Sequence, residues 1–122
     1  MADRFSSAGL KQIQQAAADS NLLVSVISVW EVGLLESKNR IELAMDCETW
    51  IREALATPGL RLAGLTTRIA LLSTRLPGEF HGDPADRFLM ATARVEGARL
   101  MTKDREILSY GRKHGFAVIS PS

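Results

Sequence analysis

Apolar residues recur along this chain in two rhythms, one near the helical period and one short and almost continuous, and their alternation predicts helices separated by buried strands. From Ser6 to Asp19, Leu10, Ile13, Ala16 and Ala17 return at helical spacing among Lys and Gln, with Asn21 as a stop. LLVSVI, residues 22 to 27, is β-branched and nearly all apolar, as suits a strand covered on both faces. SVWEVGLLES after it should turn helical. Asp46 to Ala56 reads as an amphipathic helix stopped by Pro58 and Gly59, and LRLAGL, residues 60 to 65, alternates like a strand. Thr66 caps a further helix carrying Ile69, Leu72 and Leu76 until Pro77 and Gly78 break it, and GEFHG forms a loop.

DPADRFLMATARVEG gives the clearest helix: Asp83 can cap it, Pro84 suits the first helical position and Gly97 ends it. ARLMT, residues 98 to 102, reads as a strand, Arg105 to Tyr110 as a short helix, and FAVIS as a last strand. Strands thus alternate with helices. The expected architecture is a three-layer α/β/α fold around a parallel sheet, one domain over residues 1–122, with any site beyond the carboxyl ends of strands.

Composition narrows the function classes. A hydrophobic share of 46% suffices for one ordinary core, and 15 Lys+Arg against 14 Asp+Glu leave a net charge of +1. Any nucleic-acid contact must therefore be local rather than a bulk electrostatic effect. A single cysteine, Cys47, excludes an internal disulfide. Between acidic neighbours, Asp46 and Glu48, it also lacks the basic groups that activate a thiol. The longest apolar stretch, Leu22 to Leu35, is interrupted by Ser25, Ser28 and Glu31 and is too short to span a bilayer. MADRFSSAG carries no export signal, so a cytoplasmic setting is expected.

Four acids stand out. On a helix, Glu31 shares its face with Ile27, Ser28, Leu34 and Leu35, and a carboxylate on an apolar face requires a metal, a partner or a turn towards solvent. Asp83 and Asp86 open the long helix at a spacing of three, which helix capping alone would explain. Asp104 follows a strand, where open α/β sheets place ligands; it too could be only a cap, and Thr102 could hydrogen-bond a carboxylate there. Taken together, Glu31, Asp86 and Asp104 could be brought by folding to one edge of the sheet. Clustered carboxylates need cations to stay ionised, and an all-oxygen site favours Mg²⁺ or Mn²⁺. Such an ion could activate water and clamp a phosphate.

Other chemistries lack their residues. There is no GxxxxGK[ST] loop, no GxSxG elbow and no HExxH, and no acidic pair follows a first strand as a phosphoacceptor receiver would need. His81 and His114 are far apart and read as surface or loop residues, and Trp30 and Trp50 as core or interface anchors.

ISVWE, residues 27 to 31, followed by DPADRFLMATARVEGARLMTKD, residues 83 to 104, resembles the VapC branch of the PIN-domain family, with both motifs in family order. The resemblance runs from about Asp3 to the carboxyl end. It implies a metal-dependent endoribonuclease, the toxin of a toxin–antitoxin pair, in which acids hold Mg²⁺ or Mn²⁺ and a bound water attacks RNA. Glu31, Asp86 and Asp104 match the family's catalytic acids, Asp83 a further metal-binding acid of this branch, and Thr102 the supporting hydroxyl. The nearest basic residues, Arg87, Lys103 and Arg105, are then the expected RNA contacts. The implied partners are RNA and an antitoxin, for which Trp30 and Leu34 are groove candidates if they are not core, with a homodimer left open. The family's opening strand, LLDTH, has no counterpart here, so a missing central strand and a weakened or silent site are expected. A PIN-like binding module without catalysis is the alternative.

Overall fold

The computed structural model describes Gln15, Ala18, Asp19 and residues 22–120. The helix expected over Ser6–Asp19 therefore falls largely outside the described residues; within it, Gln15 and Ala18 are helical. The chain divides into two compact units, one from Gln15 to Gly64 and the other built on the stretch from Leu65 onward.

In the first unit, strand β1 (Leu22–Ser25) leads directly into helix α1 (Val26–Ser37). The expected strand ran to Ile27, but the Ser25 hydroxyl accepts the Ile27 N–H at 3.0 Å, and that cap starts the helix at Val26. A side-chain acceptor thus overrides β-branched propensity. At its far end α1 closes through Asn39, whose φ of 57° is the left-handed conformation that Asn tolerates. Helix α2 (Cys47–Leu55) is capped by Asp46, which accepts from both the backbone N–H and the hydroxyl of Thr49. These bonds, the hydroxyl first, hold the Asp46 carboxyl below its usual range. Strand β2 (Leu60–Ala63) pairs parallel with β1, with Leu22 opposite Leu60 and Ser25 opposite Ala63.

The second unit begins with helix α3 (Thr67–Ser73), capped by Thr66 as expected. Helix α4 (Pro84–Glu96) keeps the boundaries its sequence announces, with Asp83 at the cap, Pro84 in the first turn and Gly97 at φ 65° closing it. Strand β3 (Leu100–Met101) and strand β4 (Val118–Ile119) form a second parallel pair. Helix α5 (Arg105–His114) between them is longer than the expected segment ending at Tyr110. Its extra turn carries His114, whose ring lies 4.5 Å from that of Tyr110, so this histidine belongs to an aromatic cluster rather than a loop. The core joins Leu76, Phe80, Met90, Ile107, Tyr110 and Phe116, with Leu100 and Val118 packed against it. Tyr110 donates its hydroxyl to the Pro77 carbonyl, and burial pushes its phenol up from the ordinary value. The fold class is α/β with parallel strands, as the sequence predicts. No described helix is long and apolar enough to cross a membrane.

Candidate metal-binding acids and their supports

Asp83 and Asp86 owe their positions to the start of α4. Asp83 has extended backbone angles, and its Oδ1 accepts the Asp86 N–H at 2.9 Å while its carbonyl accepts the Arg87 N–H at 3.1 Å. Capping fixes both acids to one turn. Asp83 is exposed and Asp86 half-buried. Asp104 lies just beyond the carboxyl end of β3, held from both sides: its N–H donates to the Thr102 hydroxyl at 3.1 Å, and its Oδ1 accepts the Ile107 N–H at 3.1 Å. Thr102 in turn donates its backbone N–H to the Ile119 carbonyl at 3.0 Å. The threonine hydroxyl thus orients the backbone that carries the acid.

The plainer reading of these residues as caps is therefore true of Asp83 and Asp104, and it leaves chemistry available. Each cap engages Oδ1 alone, and Oδ2 of neither side chain has a hydrogen bond among the described residues. A carboxylate with one oxygen committed to a helix start can present the other to a hard cation. Among the described residues, no three or more His, Cys, Asp or Glu side chains gather closely enough to hold an ion by themselves. The donor type, carboxylate oxygen, suits Mg²⁺ or Mn²⁺. Glu31, half-buried in the middle of α1, belongs to the first unit.

The basic candidates differ among themselves. Lys103 and Arg105 flank Asp104 and are exposed. Arg87 is half-buried and its guanidinium donates to two backbone carbonyls, Ser73 at 3.3 Å and Phe80 at 2.7 Å. Sequence reasoning did not find this clamp, because its acceptors are backbone atoms 14 and 7 residues away and leave no side-chain pattern. On the first unit, a groove of about 500 Å³ between α1 and α2 is lined mainly by Val29, Gly33, Ile51 and Leu55, with Cys47 half-buried in its wall. Trp30 is 55% exposed, so it is not core, and Leu34 is half-buried.

The family model described as PIN domain matches residues 2–113. Ribonuclease VapC22 of Mycobacterium tuberculosis strain H37Rv is 37% identical over 107 residues, covering 88% of this chain and 78% of the relative.

Proposed function

The chain belongs to the PIN-domain family, in its VapC branch, and on that premise we propose that it is a Mg²⁺- or Mn²⁺-dependent endoribonuclease, the toxin of a VapBC-type pair. What supports the reading is the capping geometry: Asp83 and Asp104 are fixed through Oδ1, which would leave Oδ2 for a cation, with Asp86 in the same turn as Asp83. Glu31, Asp86 and Asp104 would hold the ion, with Asp83 as a further acid. A bound divalent ion supplies water activation and charge neutralisation at the scissile phosphate.

The chain's own residues do the rest. Thr102 fixes the Asp104 backbone so that its carboxylate keeps one orientation. Lys103 and Arg105, exposed next to Asp104, take the phosphates flanking the cut. An antitoxin would cover the first unit's apolar surface, which includes the exposed Trp30 and the groove between α1 and α2. We place the protein in the cytoplasm, where its RNA substrate is found.

The test is cleavage of a single-stranded RNA with Mg²⁺ and with EDTA. We expect cleavage only with the metal, its loss in Asp86→Asn and Asp104→Asn, and weaker RNA binding with a shallower salt dependence in Arg105→Glu. Cleavage that survives EDTA overturns the metal assignment. An intact protein that neither cleaves RNA nor binds Mn²⁺ is instead the silent binding module.

A further inference from the structure

The residues around the start of α4 are arranged as a support, and we propose that Gly82, Phe80 and Arg87 are positioning residues that set the place of the Asp86 carboxylate. This inference rests on the metal-site reading above. Its starting point is Gly82, which has no left-handed backbone angle and so is not required for conformational reasons. Space requires it. A methyl group at this position would overlap ring carbons Cζ and Cε2 of Phe80 and lie 3.1 Å from Asp86 Cβ. A side chain at position 82 would thus be caught between a core aromatic and Asp86.

The Phe80 ring cannot easily move aside. It is 5% exposed and its centroid lies 4.7 Å from that of Tyr110, whose hydroxyl is tied to the Pro77 carbonyl. Its backbone is held as well, because the Phe80 carbonyl accepts from Arg87 at 2.7 Å, and the same guanidinium reaches the Ser73 carbonyl at the end of α3. The Arg87 charge centre also lies 5.7 Å from the centroid of the Phe80 ring. Residues 74–83 are therefore pinned to α4 at Arg87 and at the Asp83 cap, and position 82 has no room for a side chain between Phe80 and Asp86. Arg87 is the residue after Asp86, so a shift of the loop moves the turn that carries the acid. A ligand displaced by a fraction of an ångström loses affinity even when the fold is intact, because hard-ion coordination tolerates little error in distance.

The experiment titrates Mn²⁺ into wild type, Gly82→Ala, Arg87→Gln, Arg87→Lys and Asp86→Asn, following water-proton relaxation, with thermal unfolding measured in EDTA. Gly82→Ala and Arg87→Gln should each weaken Mn²⁺ binding by about tenfold or more, the effect usual for outer residues that orient ligands. Arg87→Lys, which keeps the charge but reaches only one carbonyl, should fall between Arg87→Gln and wild type. A merely structural role would lower the unfolding temperature and leave Mn²⁺ affinity unchanged. Wild-type affinity in folded Gly82→Ala and Arg87→Gln, with affinity lost in Asp86→Asn, overturns this inference alone. Wild-type affinity in Asp86→Asn overturns the metal-site reading beneath it. If Gly82→Ala does not fold, the two Arg87 variants decide.

Discussion

The two units hold their candidate acids by different means. In the second, Asp83 and Asp104 are helix caps and Asp86 sits three residues into a capped turn, so hydrogen bonds to the backbone set where each acid lies. In the first, Glu31 lies in the middle of α1, away from either cap, on a helix whose only buried residue is Ile27. The packing differs likewise: the second unit closes around Met90 and three aromatic rings, whereas the first keeps Trp30 and Leu62 largely exposed. An acid placed by a cap is tied to local sequence; one placed by a helix face depends on whatever that face packs against.

The largest effect expected from breaking this contrast is in the core. Met90 is fully buried, so Met90→Ala should cost about 2–5 kcal/mol in a denaturant titration. Trp30→Ala, at a position 55% exposed, should stay within about 0.5 kcal/mol. Equal costs would mean that the first unit buries Trp30 in solution, and the contrast would fail.

A smaller effect separates capping from ligation at one residue. Asp83→Ala should destabilise by about 1 kcal/mol through loss of the cap. Asp83→Asn keeps the cap acceptor and should stay within a few tenths of a kcal/mol of wild type, yet weaken Mn²⁺ binding. Unchanged Mn²⁺ affinity in Asp83→Asn would reduce this acid to a cap.

The smallest effect is at Asp46, the cap of α2. Thr49 lowers its carboxyl in the folded state, so its contribution is present above the unfolded value and fades as pH falls through the carboxylate range near 4 towards the lower folded value. The stability gap between wild type and Asp46→Ala should therefore narrow below about pH 4. A constant gap down to pH 2 would show that charge plays no part in this cap.

These comparisons explain which features the sequence displays. Asp83, Pro84 and Gly97 announce α4 because caps and stops are local chemistry, and the same holds for Thr66 and Asp104. The strands are shorter than the sequence predicts because pairing sets their length: only Leu100 and Met101 find partners in Val118 and Ile119. His114 looked like a surface residue until Tyr110, one turn earlier on α5, supplied a ring to stack on. The Arg87 clamp and the space at Gly82 had no local signal, since both are set by backbone atoms or a ring brought in by the 74–83 loop. The acids were visible as residue types in a family order, but which oxygens stay available was not.

The central claim is a divalent-ion site built from Glu31, Asp86 and Asp104, and a crystal structure of the protein soaked in Mn²⁺ tests it most directly. Anomalous scattering should place one ion with oxygens of these three carboxylates about 2.1 Å away, and Asp83 close by. An ion bound elsewhere, or none at millimolar Mn²⁺ with the three carboxylates facing separate surfaces, would contradict the account.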